Sequence, residues 1–335
     1  MGMIEKNVPA RISLAPWKES AVWSRRSVLL LFFSGTAFSH AQDEKYCRVC
    51  GRRIEAGEPF FAVPDRTEAI CARCNQAAPR CRFCKLPTAA QAIHPYSGAC
   101  PSCEAQLIHC QACGRAILGI RYSFALREGF FCPACKRNRP ACFLCGAPVG
   151  DDLWRYPDDR VVCGACGERA IFDIDDIARI MEEAGAIVQS SYGLALSTAY
   201  VLRVEKLNSA SATTRELRDR IFSDRSPLFG KELGLYRRVG TLSEIYLLFG
   251  LIPELLYEAA GHEYAHAWQA DHNLLDAHPE WVEGFAQWAA AEVLRQKGFT
   301  AALERLERRG DSPYGTGYRQ MKRLYRGNIR DLLPR

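Results

Sequence analysis

Apolar positions fall into register only in the second half of the chain. Ile174, Ile177, Ile180 and Met181 recur at helical spacing and predict an amphipathic helix over Ile174–Ala186. Ala199–Val204 and Glu244–Phe249 read as strands, and Gly230–Gly240 as a loop or another short strand. Pro253 suits a first helical turn, so a long helix is expected from there to about Ala270. A further helix begins after Pro279, where Trp281, Phe285 and Trp288 mark a packed face.

One other apolar run stands apart, at Val28–Phe38. It spans about 11 residues, whereas a membrane-crossing helix needs roughly 20, so no stable span is expected. Ser24-Arg25-Arg26-Ser27 precedes it and Ser39-His40-Ala41 follows with small residues, the order of an export signal. The paired arginines resemble a bacterial twin-arginine signal, which carries folded cargo. Residues 1–41 therefore read as a leader and the protein as exported, periplasmic or extracellular, with a cytoplasmic location as the alternative. The leader also accounts for half of the charge, +3 of the total +6. The remainder is only mildly basic, which is weak ground for a nucleic-acid partner.

Between leader and periodic half lie sixteen cysteines in eight CxxC pairs. Taken in fours, they are Cys47, Cys50, Cys71, Cys74; Cys81, Cys84, Cys100, Cys103; Cys110, Cys113, Cys132, Cys135; and Cys142, Cys145, Cys163, Cys166. The gaps between pairs are 20, 15, 18 and 17 residues, all suited to paired zinc knuckles. Zinc takes four ligands tetrahedrally and supplies folding energy that such short segments lack. Gly51, Gly114, Gly146 and Gly167 each follow a CxxC, where positive φ lets the chain turn around a metal. Four structural zinc ions are expected.

Equivalent cysteines recur at offsets of 61 or 63 residues, and Tyr46–Ile54 is echoed by His109–Ile117. A tandem duplication of a two-zinc unit follows, and each unit resembles a LIM domain. The six-residue linkers and all-cysteine ligands depart from that pattern. An interleaved pairing, with the first and third CxxC sharing a metal, stays open, as do disulfides in an oxidising compartment. His94 and His109 receive no role. A thioredoxin-like redox function lacks the βαβ context it needs. Few aromatics and scattered basic residues between the knuckles favour a protein partner over nucleic acid.

The expected long helix carries Gly261-His-Glu-Tyr-Ala-His266. Positions i and i+4 share a helix face, so His262 and His266 can reach one zinc ion, with Glu263 beside them to activate water. An open catalytic site needs a third protein ligand. Glu283, 17 residues beyond His266 on the next helix, is similar in spacing to the gluzincin pattern. It is preferred to His272 or His278, because the metzincin arrangement would need a glycine that is missing here. Gln287 shares its face and is expected to orient it.

Glu244–Pro253, Ala260–Trp268, Glu283-Gly284 and Ser312–Arg319 together resemble the peptidase domain of the DA-one-like LIM peptidases, a family known for regulating plant organ size. Pro140–Ala170 is similar to the segment preceding that domain, so the resemblance spans roughly residues 110 to 320. It implies a zinc-dependent endopeptidase acting on protein substrates, with His262, His266 and Glu283 as ligands and Glu263 as base. Plant members carry ubiquitin-interacting helices, and nothing in the first 46 residues matches them. Ubiquitin-dependent activation is therefore not carried over.

The expected fold is α+β: LIM-like modules over 42–106 and 107–168, then a mainly helical gluzincin-like metallopeptidase domain with a small β-sheet over 169–335. Tyr314, in a predicted loop, is the candidate donor to the oxyanion of amide hydrolysis. A substrate would lie along an edge strand, either Glu244–Phe249 or Ala199–Val204. The rival readings are an idle zinc scaffold that binds proteins and a nucleic-acid-binding zinc ribbon.

Overall fold

The computed structural model describes residues 44–63, 68–206, 215 and 233–333. The leader expected over residues 1–41 lies outside them. No helix among the described residues is long and apolar enough to cross a membrane.

The cysteine half is a string of antiparallel hairpins. β1 (Lys45–Tyr46) pairs with β2 (Arg53–Ile54), β3 (Phe60–Ala62) with β4 (Ala69–Cys71), β5 (Tyr122–Phe124) with β6 (Arg127–Phe131), and β7 (Trp154–Arg155) with β8 (Val161–Val162). Each tetrad closes on a short helix whose N-cap is its third cysteine: α1 (Ala72–Ala77), α2 (Pro101–Glu104), α3 (Pro133–Asn138) and α4 (Gly164–Gly167). The duplication is visible in the backbone, since the bridges Cys47–Ala69 and Arg80–Pro87 recur as Cys110–Phe130 and Ala141–Pro148.

The second half is α+β. α5 runs Ile174–Tyr192, past the expected end at Ala186. Asp173 caps its start by accepting from Asp175 and Asp176 N–H, and Gly193 ends it in the left-handed region at φ 72°. β9 (Tyr200–Glu205), β10 (Gly234–Val239) and β11 (Leu242–Leu248) form one sheet in the order β10-β11-β9. β10 and β11 are an antiparallel hairpin, while β9 runs parallel to β11. Glu244–Phe249 is therefore mostly a central strand, and cannot serve as the edge that the sequence offered. Gly230–Gly240, left open between loop and strand, contributes the edge β10.

α6 (Pro253–Asp271) and α7 (Pro279–Gln296) begin at the expected prolines, and α8 (Thr300–Glu307) and α9 (Tyr314–Leu324) follow. α6 is buried at almost every position from Glu254 to Ala270. It can be so because α5, α7 and the strands β10 and β11 all pack around it. α9 packs on α7 through glycine: a Cβ added to Gly284 would meet the Gly317 backbone, with its Cα at 2.5 Å. Only a residue without a side chain permits that approach, and it brings the start of α9 to the HExxH helix.

Composition changes at residue 168, yet packing continues through it. Buried residues of the third and fourth tetrads, from Cys110 to Cys166, share one core with the helices and sheet that follow. The first module keeps a separate small core around Ile54 and Ile70.

Candidate metal centres

None of the sixteen cysteines is joined in a disulfide, so the disulfide alternative finds no support in the fold. The sulfur atoms of each tetrad lie within 4.8 Å of one another, and every tetrad joins two successive CxxC pairs. The interleaved pairing is thereby overturned. Sulfur atoms about 2.3 Å from a tetrahedral zinc ion stand roughly 3.8 Å apart. Cys84–Cys100 and Cys145–Cys163 are at 3.9 and 3.8 Å.

One hydrogen bond repeats in all four tetrads. The amide of the third cysteine donates to the sulfur of the first: Cys71 to Cys47 at 3.4 Å, Cys100 to Cys81 at 3.2 Å, Cys132 to Cys110 at 3.3 Å and Cys163 to Cys142 at 3.3 Å. Burial opposes a thiolate at these positions, but amide donors outweigh it and lower Cys47 and Cys81 to about 6 and Cys110 to about 7. Thiolate is the form that binds metal.

The turn after each CxxC follows the glycine expectation at three of four sites, with φ 72°, 70° and 74° at Gly51, Gly114 and Gly146. The second tetrad uses Lys85 instead, at φ 62°. Gly167 differs: it lies in α4, where a Cβ would strike the Trp154 ring at 2.5 Å. His94 and His109 stay outside the tetrads, with His109 Nε2 3.2 Å from Glu104.

A fifth cluster forms where α6 crosses α7. His262 Nε2 and His266 Nε2 are 3.1 Å apart, and Glu283 Oε2 lies 3.2 Å from the first and 3.5 Å from the second. Ligands about 2.0–2.2 Å from a tetrahedral ion stand roughly 3.4 Å from each other, so these atoms fit three corners around one zinc ion. Burial opposes charge on His266, but the Glu283 carboxylate outweighs it and raises the imidazole to about 9. The same contacts hold Glu283 well below the carboxylate range against its own burial. The electrostatics favour a cation where the three side chains meet.

His272 and His278 are elsewhere. His272 stacks on Trp268 at 4.1 Å, and His278 caps α7. Gln287 does not orient Glu283; its Oε1 faces Arg309 Nη1 at 3.4 Å. The group that braces the cluster is Gln269, which the sequence reading missed. It is fully buried, accepts from His266 Nδ1 at 2.7 Å and donates to Val282 O at 2.9 Å. Its place three residues after His266, on the same helix face, was the available signal.

Glu263 is buried beside the cluster. Gly234 of β10 makes room for it, since a Cβ there would lie 2.7 Å from Glu263 Cγ. A cleft of about 140 Å³ opens here, lined by Leu235, Tyr236, Leu275 and Val282 as well as His262, His266, Glu263 and Glu283. A second hollow also reaches His262 and Glu263 and is lined by Leu233, Glu258, Gln287, Arg309 and Tyr314. Tyr314 is not in a loop but opens α9, with its ring 6.1 Å from that of His262 and the Arg309 guanidinium 4.3 Å from its centre.

Strand β10 presents its free edge along the larger cleft. The bond from Leu248 N to Leu233 O sets the ladder phase, so Leu235 and Arg237 bond to β11. Gly234, Tyr236 and Arg238 then turn their peptide groups outward. Among the described residues no strand covers that side. Compared with known protein families, curated proteins and solved structures, the chain matches none.

Proposed function

We propose that the protein is a zinc-dependent endopeptidase of the DA-one-like LIM peptidase type, cleaving protein substrates at the His262, His266 and Glu283 cluster. The observation that carries this is the buried Glu263 set beside those three side chains, in the wall of a cleft that β10 also lines. A site that only stores metal has no use for such a carboxylate, which also weighs against the idle-scaffold reading.

His262 and His266 would bind zinc through Nε2 and Glu283 through its carboxylate. The bound ion would supply acidified water and polarise the scissile carbonyl. Glu263 takes the proton from the attacking water and passes it to the leaving amine. Tyr314, whose ring lies 6.1 Å from that of His262, donates its hydroxyl hydrogen to the developing oxyanion. An unfolded substrate segment lies along β10, where the outward amides and carbonyls of Gly234, Tyr236 and Arg238 pair with it.

The four cysteine tetrads hold structural zinc and the modules offer a surface for a protein partner or substrate. Export through the paired-arginine leader would let the protein fold around zinc before crossing the membrane.

Glu263→Gln tests the assignment. It keeps the metal ligands and the shape of the base, so the zinc content should stay and cleavage of an unfolded protein should vanish. Cleavage at the wild-type rate by that variant would remove Glu263 as base. Salt-dependent binding of DNA or RNA without proteolysis would favour the zinc-ribbon alternative.

A further inference from the structure

The segment from Phe249 to Ile252 joins β11 to α6, so its position decides where the HExxH helix starts. The stretch 140–171, which carries the fourth tetrad and is the fourth cysteine module, holds it through four residues. Arg160 Nη2 donates to Phe249 O at 2.9 Å and the Tyr156 hydroxyl to Gly250 O at 3.1 Å. Ile171 exchanges backbone bonds with the same stretch, accepting from Gly250 N and donating to Leu251 O, both at 2.9 Å. Arg169 pairs with Glu254 in the first turn of α6 at 2.6 Å. Gly250 sits at φ 67°, and a Cβ there would lie 2.7 Å from the Tyr156 ring.

Arg160 has an unusual setting for a cation. Its side chain is 1% exposed, and the guanidinium faces the rings of Phe143, Tyr156 and Phe249 at 5.0, 5.0 and 4.7 Å. Asp158, equally buried, pairs with it at 2.9 Å. A buried ion pair is a poor source of stability compared with apolar packing of the same volume. Reach to the Phe249 carbonyl gives it a purpose that an apolar residue cannot serve.

The metal site fixes where Arg160 stands. It precedes β8, which ends against Cys163, and Phe143 lies between Cys142 and Cys145 and donates its amide to Val161 O at 2.8 Å. All four cysteines of this tetrad are buried, whereas the first tetrad has Cys50 exposed and a core of its own.

We infer that Arg160 and Tyr156 are positioning residues, through which the fourth cysteine module sets the HExxH helix in register with Glu283. α6 behaves as a rod: His262 lies roughly 14 Å along it from Pro253 at 1.5 Å per residue. Glu283 belongs to a different helix, so a displaced start of α6 moves two ligands relative to the third. The kinetic part of this inference rests on the peptidase reading; the metal-binding part does not.

The experiment uses full-length, zinc-loaded Tyr156→Phe, Arg160→Met and Arg160→Lys proteins. Three quantities are read: zinc per chain, the chelator concentration that strips the most labile zinc ion, and kcat and KM for an unfolded protein substrate. Tyr156→Phe and Arg160→Met should keep the thiolate-bound ions, release the labile ion at about tenfold less chelator, and lose about tenfold in kcat with KM unchanged. Arg160→Lys should recover part of both losses. Should Arg160→Met fail to fold, Tyr156→Phe decides, because it deletes one oxygen and keeps the ring. Wild-type chelator sensitivity and kcat in Tyr156→Phe would overturn the inference. If the wild type cleaves nothing, the peptidase reading fails, and the chelator series still decides positioning.

Discussion

His266 Nδ1 lies 2.7 Å from Gln269 Oε1, one helical turn along the same face of α6. The amide of Gln269 is anchored by its own bond to Val282 O, so its oxygen is the end presented to the imidazole. An oxygen can only accept, hence Nδ1 keeps a proton, and Nε2 is the nitrogen turned toward His262 and Glu283, whose lone pair becomes available to a metal ion once its own proton has left. Gln269→Leu keeps the volume and removes this bond. The expected result is a 10–100-fold loss of zinc affinity at this cluster, with the thiolate sites unchanged, measured by chelator competition. Unchanged affinity would show that packing alone orients His266.

Tyr314→Phe removes a single hydroxyl from the first residue of α9. As the oxyanion donor its loss should lower kcat by about 10²-fold, while KM and zinc content hold. Steady-state kinetics with metal analysis checks it. Full turnover in Tyr314→Phe would remove it as the oxyanion donor and leave its ring to packing, as against the Arg309 guanidinium.

The β10 edge makes a different kind of prediction, because its chemistry is in the backbone. Proline at Tyr236 removes an outward N–H without touching the β11 ladder, a substitution that edge strands accept. Relative to Tyr236→Ala, which corrects for the lost ring, Tyr236→Pro should raise KM about fivefold, one hydrogen bond of ~1 kcal/mol, and leave kcat in place. Equal KM values would move the substrate off this edge.

How far the sequence reached can be seen in particular residues. The tetrads are legible because CxxC pairs have short, rigid spacings, and α6 and the helix that carries Glu283 because both start at prolines. Gln287 and Gln269 both sit at plausible helical offsets, and only the crossing of α6 over α7 tells which one faces a histidine. The strand order was hidden for a similar reason. Apolar content marks Glu244–Phe249 as a strand, but whether it is central or edge depends on β9 and β10 pairing from either side. Pro313 and the two glycines of Gly315-Thr-Gly317 have the composition of a turn, which hides the helix that Tyr314 opens. In the fold those glycines are spent on close approach: Gly317 against Gly284, and Gly315 against the Arg309 backbone.

A clasp away from the cluster gives the pH dependence. Glu183 of α5 accepts from Lys297 Nζ at 2.8 Å, from the Tyr257 hydroxyl of α6 and from Arg179 at 2.9 Å. The Lys297 contact first, then Tyr257, lowers this carboxyl to about 2. A depressed folded-state value stabilises above the unfolded pKa, about 4.3 for Glu, and that contribution fades as pH falls through about 2. Glu183→Gln should therefore melt below the wild type at pH 7, with the gap closing between pH ~4.3 and pH ~2. A gap that stays constant across this range, followed by circular dichroism, would mean that Glu183 acts through packing.

On the proposed reading, three side chains from two helices share one zinc ion in addition to the four held by thiolates. Zinc counting after dialysis against a mild chelator, on the wild type and on Glu283→Ala, decides it. The expected values are about five ions per chain in the wild type and about four in Glu283→Ala. Four in the wild type, or five in both, would contradict it.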